Sequence, residues 1–394
     1  MRRSHRKKYI RAIGVVLVLV FLFGIAKVVD TYHEGDGEPI ADIRSLDSSL
    51  RIEYSVFAEE QPLILLPAIK YLEKNGTETL QSIKNEYRYN VDRLDVGLPV
   101  TISYEIKGMP TGSQVAAARL EVSEDEAFTA PRRFNMEGTL CSAEVSMLKV
   151  NTLYYFRITI ELSNGVETAT IATFRTADTV RILSIDGVPN VRDIGGWKTA
   201  DGQVIRQGLL FRGAELDGAV KTEYQITETG IDHMVHILKV RTELDLRDPA
   251  VTTVSGSMLG DSVRRVSIFT AQYGDVFKSA NQTALRQVFG ELAKEKAYPI
   301  YLHDTYGMDQ TGTVCYLLEA LLGVGEEDLM RDYRASILYH GGLHNSEMND
   351  FVERFNNLPG ETAQDKAEGF LLEIGVTAEE IAAIRAILLE PAQA

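Results

Sequence analysis

A chain of 394 residues with 45% hydrophobic and 25% charged content has the make-up of a folded, core-forming protein of two or three domains. Its net charge is −15, and Arg2, Arg3, Arg6, Lys7, Lys8 and Arg11 gather at the very start, so the body is more acidic still. That balance excludes nonspecific nucleic-acid binding, which needs clustered Lys and Arg against phosphates.

Residues 12–26, AIGVVLVLVFLFGIA, are uncharged and mostly aliphatic, and Lys27 interrupts before Val28 and Val29. With Lys27 snorkelling to the headgroups, 12–29 is long enough to cross a bilayer. The basic cluster ahead of it predicts a cytoplasmic N-terminus and an exported body. Residues 1–29 thus read as a basic tip and a single-pass transmembrane anchor in the cell membrane. The alternative is a cleaved signal peptide, with Gly24 and Ala26 as small residues at the cleavage site, and a secreted product. Residues 30–85 form a polar segment whose start reads as a stalk. The part near 50–90 stays open between a stalk and added strands or a helix. Its apolar patch at 62–72, PLILLPAIKYL, is too short and too proline-interrupted to span a membrane.

From Pro99 the hydrophobic period becomes two. Alternating runs at 99–106, 117–125, 143–148, 154–162 and 167–176 predict short strands, with Ser163-Asn164-Gly165 as a hairpin turn between the last two. Within this stretch Leu148, Thr152 and Tyr154 keep the spacing of the tyrosine corner of fibronectin type III domains, with Val150 where a proline is common. Residues 86–178 therefore resemble an all-β fibronectin type III-like sandwich. The resemblance implies that the Tyr154 hydroxyl bonds back to nearby backbone. Read without it, Tyr154 is an ordinary strand aromatic.

Residues 179–394 mix helix and strand. A helix-like stretch at 228–239 precedes a buried strand at 244–247, and 263–268 reads as another strand. A helix-like run at 282–296 leads into a core strand, AYPIYLH, at 297–303. The loop DTYGMDQTG follows, and then an apolar helix from Thr313. Strand, glycine-containing loop and helix is the order that cradles a phosphate on backbone N–H groups at a helix N-terminus. Near the C-terminus Thr377 and Glu380 form a capping box.

Four motifs in this half, in order, resemble bacterial atypical protein-tyrosine phosphatases. They are Asn190-Val191-Arg192-Asp193-Ile194-Gly195-Gly196, the segment 202–216 with Phe211-Arg212, then Asp245-Leu246-Arg247, and the loop from His303 to Gly312. The resemblance implies an α/β cysteine-phosphatase-like domain whose phosphate loop is His303, Asp304, Thr305, Tyr306, Gly307, Met308, Asp309, Gln310 and Thr311. In that alignment Asp304 holds the position of the nucleophilic cysteine, Gln310 that of the arginine, and Asp309 that of the in-loop acid. Met308 stands where a lysine is common.

Those departures predict a catalytically inactive pseudophosphatase. A carboxylate is a far weaker nucleophile than a thiolate. Without the guanidinium, two charge-assisted hydrogen bonds to phosphate are lost, each worth about 1.5–3 kcal/mol. An unpaired Asp304 would repel a phosphate by about 4 kcal/mol per unit-charge pair at 4 Å and an effective dielectric near 20. The Asp304 carboxylate is expected to turn into the loop and accept the N–H groups meant for phosphate. Cys315, eleven residues on, should face the core, and neither it nor Cys141 forms a metal-ligand or disulfide pattern. Arg192, Asp193 and His303 read as structural. His340 and His344 are four apart, but the glycines between them weaken a metal site, and no metal or cofactor is expected.

The leading expectation is a membrane-tethered, exported binding protein with a phosphorylated or unphosphorylated protein ligand. One alternative is an active phosphomonoesterase with Asp-based or metal-assisted chemistry. Another is a surface interaction protein acting through the fibronectin-like module.

Overall fold

The computed structural model describes residues 50–58, 60–74, 78–88, 93–252, 254–340 and 345–391. The apolar span 12–29 lies outside them, as does His344. Among the described residues no helix is long and apolar enough to cross a membrane.

A β-rich region comes first. Its elements are β1 (Arg51–Val56), β2 (Glu60–Gln61), α1 (Leu66–Glu73), α2 (Leu80–Glu86), β3 (Val100–Lys107), β4 (Val115–Ser123), β5 (Arg132–Met136), β6 (Leu140–Val145), β7 (Leu153–Leu162) and β8 (Glu167–Thr176). One sheet runs β1-β3-β6 and the other β2-β8-β7-β4-β5. Alternation places Val100, Ile102 and Tyr104 of β3, and Phe156, Ile158 and Ile160 of β7, in one shared core. At the β7–β8 hairpin Leu162 N donates to Val166 O at 2.8 Å, and Gly165 takes the left-handed φ of 81° that the turn requires.

The first sheet therefore begins at Arg51, inside the part near 50–90 left open above, and that part adds strands and helices. The apolar patch at 62–72 also has a place there. Pro67 opens α1 near its first turn, and Ala68, Tyr71 and Leu72 pack with Ile83 of α2 against Val180, Ile182 and Leu338.

An α/β domain follows: β9 (Arg192–Asp193), β10 (Leu210–Gly213), α3 (Glu228–Asp232) running on as a π-helical turn to Ile237, β11 (Thr242–Asp245), β12 (Arg264–Ser267), α4 (Ser279–Leu292), β13 (Ile300–His303), α5 (Gln310–Leu322), α6 (Glu326–Ala335), α7 (Ile337–His340), α8 (Asn345–Asn356), α9 (Ala363–Glu373) and α10 (Ala378–Leu388). The sheet order is β12-β11-β13-β10-β9; only β9 runs antiparallel to its neighbour. The capping box of Thr377 and Glu380 is formed at the start of α10.

Two features of this sheet position the site. Register sets His303 beside both Gly213 and Asp245, so the parallel strands end level. The next helix, α5, is buried along nearly its whole length, from Thr311 to Leu322. The loop between β13 and α5 thus sits at the carboxyl end of the central strand, where open α/β sheets bind ligands.

Candidate functional site

The loop between β13 and α5 closes around one side chain. Asp304 Oδ1 accepts from the backbone N–H of Tyr306 at 2.9 Å, Gly307 at 2.5 Å and Met308 at 3.3 Å. Asp304 Oδ2 accepts from Thr311 N at 2.9 Å, in the first turn of α5. The carboxylate thus occupies the N-terminal end of a helix and the turn before it, where backbone dipoles favour an anion. Only 1% of Asp304 is exposed, so the group is sealed from solvent.

The loop is held from outside by groups that grip its carbonyls. Arg212 Nη2 donates to Gly307 O at 2.9 Å, and Asn190 Nδ2 donates to Tyr306 O at 2.9 Å and to Gly307 O at 3.2 Å. Gly307 has φ of 67°, and a Cβ there would lie 2.3 Å from the carbonyl carbon of Gly213. Glycine is required twice over, by conformation and by contact.

Beneath the loop lies a buried charge cluster. Asp332 of α6 accepts from Arg192 Nε at 2.8 Å and pairs with Arg212 Nη1, while Arg192 Nη1 donates to Asn190 Oδ1 at 2.6 Å. Burial works against the Asp332 charge, yet the two guanidinium groups outweigh it and hold its pKa below the usual carboxylate range. Glu319 of α5 is fully buried and neither carboxyl oxygen has a hydrogen-bond partner among the described residues. Burial first, then the Asp332 charge, pushes its pKa well up. Cys315 on the same helix is also fully buried, and burial raises its thiol to about 12, so it supplies no thiolate near neutral pH.

The other loop residues divide between packing and rim. Met308 is buried in the core of the α/β domain. Asp309 Oδ1 accepts from the Tyr273 hydroxyl at 2.6 Å, and that hydroxyl lies 3.0 Å from the Tyr333 hydroxyl. Thr311 is buried, and its hydroxyl has no hydrogen-bond partner among the described residues. Thr305 and Tyr306 are half-buried, and Lys221 Nζ lies 5.5 Å from the centroid of the Tyr306 ring. Gln310 is half-buried, with no side-chain hydrogen bond among the described residues. No cation stands at its position.

His303 lies beside a ready-made set of metal-type ligands. Glu243, Asp245 and His303 bring ligand atoms within 4.8 Å of one another. Arginine already occupies this set: Asp245 Oδ2 accepts from Arg247 Nη2 at 2.8 Å and Arg265 Nη2 at 2.6 Å, and His303 Nε2 lies 3.1 Å from Glu243 Oε1. A dication there would face two guanidinium groups, so the set fits an ion-pair network rather than a metal. Burial works to lower the His303 pKa, but Asp245 and Glu243 raise it above the ordinary value. Asp193 pairs with Arg181 and accepts from Gly195 N at 2.8 Å, so both it and Arg192 brace the framework.

The structure thus gathers His303 to Thr311 in one place, with Asp304 at the centre. Asp332, Tyr273, Glu319 and Gly213 were not singled out by sequence reasoning. Asp332 lies 120 residues from Arg212 and 140 from Arg192, and nothing local marks such a partner.

The profile of the tyrosine phosphatase family matches residues 183–390. A protein of Cupriavidus necator, provisionally named a tyrosine-protein phosphatase, is 27% identical over 179 residues, covering 39% of this chain and 62% of its own length. The chain thus spans about 62% of that curated relative. Among solved structures, the core catalytic domain of the PP-IP phosphatase SIW14 from S. cerevisiae, in complex with citrate, covers 39% of this chain and 94% of its own, at 13% identity and a TM-score of 0.25. A score that low gives the likeness no weight.

Proposed function

This chain belongs to the tyrosine phosphatase family, and we propose that it is a catalytically silent member that acts by binding. The observation that carries this reading is the position of the Asp304 carboxylate, which takes up four loop N–H groups, from Tyr306, Gly307, Met308 and Thr311. Those donors would otherwise receive a phosphoryl group. Both carboxylate oxygens are engaged, so neither is poised for in-line attack. Gln310 offers no guanidinium to the transition state, and the buried thiol of Cys315 offers no replacement nucleophile.

A site of this kind favours partners recognised without a phosphoryl group. Exposed Val220, Val251 and Phe269 lie on the segments that follow β10, β11 and β12, at the same carboxyl end of the sheet as the loop. Apolar residues there suit a polypeptide partner.

The β-rich region reads as a fibronectin type III-like sandwich whose first strand is β1. Two observations support it. Lys149 N donates to the Tyr154 hydroxyl at 2.9 Å, and Tyr154 stacks on Phe174 at 5.4 Å between ring centroids. Residues 12–29 would anchor the chain, with the bulk of it outside the cell membrane; the basic cluster before the span is the support for that orientation.

The test is hydrolysis of p-nitrophenyl phosphate by the chain, with and without divalent metal ions, beside an Asp304→Ala variant. No turnover above background is expected from either. Turnover in the parent that disappears in Asp304→Ala would make Asp304 a working nucleophile or base and end the silent reading.

A further inference from the structure

Resting on the silent reading, we infer that Asp304 is a built-in stand-in for a bound oxyanion, which keeps the loop permanently in its loaded arrangement and closed to phosphate from solution. The loop has two faces, and the structure uses them separately. Its N–H groups point inward: Tyr306, Gly307 and Met308 to Asp304 Oδ1, and Thr311 to Asp304 Oδ2. Its carbonyls are gripped from outside: Gly307 O by Arg212 and Asn190, and Tyr306 O by Asn190. Arg212 is in turn fixed by Asp332, and Asn190 by Arg192 and Asp95. None of these outer clamps uses the Asp304 side chain. The shape of the cradle is therefore set by the clamps and by the left-handed Gly307 against Gly213, while Asp304 fills it.

The consequences for ligands follow from tethering. The carboxylate sits on the residue that opens the loop, so its effective concentration at the N–H groups exceeds that of any free anion in solution. Asp304 is 1% exposed, which leaves no approach for a second anion. A free tetrahedral oxyanion would also find no guanidinium at position 310 to draw it in. The parent chain should then be indifferent to phosphate, sulfate and tungstate. Removal of the carboxylate alone should uncover a preorganised oxyanion site.

The experiment compares the full parent chain with Asp304→Ala, following thermal unfolding in rising sulfate and tungstate, with chloride at matched ionic strength. Sulfate stabilises folded proteins in general, so the readout is the difference between variant and parent. The expected result is a variant that melts roughly 5 °C below the parent in chloride and recovers most of that loss in saturating oxyanion. The parent shows only the general salt effect. Amide exchange across residues 304–311 should follow the same pattern: slow and sulfate-independent in the parent, fast in the variant, and slowed there by sulfate.

A folded Asp304→Ala chain whose melting and exchange ignore oxyanions would overturn the inference. So would a parent chain whose loop exchange responds to sulfate, and that arm stands even if the variant does not fold. Neither outcome touches the silent reading, which turns on hydrolysis alone.

Discussion

At the scale of single residues, the proposed silence rests on two positions in one loop, Asp304 where a thiol is expected and Gln310 where a guanidinium is expected. Position 304 still carries a negative group at a helix N-terminus, but one bound by four N–H groups rather than offered to a substrate. Position 310 carries an amide where the loop would have had a guanidinium. The sequence alone showed both exchanges, since they fall at fixed places in a recognisable run. It did not show Glu319, a carboxyl buried beneath the loop without a hydrogen-bond partner among the described residues. That group has a measurable signature. Its pKa is raised in the folded chain by burial and by Asp332, so folding favours its protonated form. The stability it allows is fully present below its unfolded pKa, near 4.3, and is lost as pH rises toward the folded value. Glu319→Gln should therefore gain urea stability over the parent at about pH 8 more than at about pH 5. The raised pKa of His303 acts in the same direction, but it is common to both chains and cancels in the comparison. An equal difference at the two pH values would show that Glu319 carries no ionisation penalty.

At the scale of elements, strand, loop and helix were legible where hydrophobic contrast is strong. The alternation in β3 and β7 reports one buried face, and the short run Ile300–His303 of β13 is a strand covered on both. Contrast fails in β1, whose residues are all exposed or half-exposed, and in β5, Arg132–Met136, where only Met136 is buried. Helix α5 begins at Gln310, three residues before the apolar run suggested, because the amide of Thr311 is drawn to Asp304. The loop itself depends on close approach. Gly307→Ala would force a Cβ to within 2.3 Å of the Gly213 backbone at a φ of 67°. A loss of about 2–4 kcal/mol in chemical unfolding is expected. A loss below about 0.5 kcal/mol would mean that the loop does not need this contact.

At the scale of the whole molecule, the β-rich region and the α/β domain are joined through polar clamps rather than strung on a linker. The side chain of Gln207 brackets Val150, accepting from its N at 2.9 Å and donating to its O at 3.0 Å. Arg181 donates to Leu148 O at 3.0 Å and Met147 O at 2.9 Å, and pairs with Asp193. Asp95 accepts from Asn190 N at 2.9 Å, one step from the loop carbonyls that Asn190 holds. These contacts tie the corner at Leu148–Val150 to the motif that begins at Asn190. The sequence shows each end as a separate motif, and nothing in either predicts that they meet. Gln207→Ala should cost about 1–2 kcal/mol and leave a single unfolding transition, since the two parts are braced together. Two separated transitions in the parent would show the parts to be independent.

The most direct measurement restores the chemistry in place. Asp304→Cys combined with Gln310→Arg puts a thiol and a guanidinium into a loop whose Gly307, Arg212 and Asn190 clamps are already set. The double variant is expected to hydrolyse p-nitrophenyl phosphate at a rate clearly above the parent, for which no turnover is expected. A well-folded double variant without activity, or a parent as active as the variant, would contradict the account.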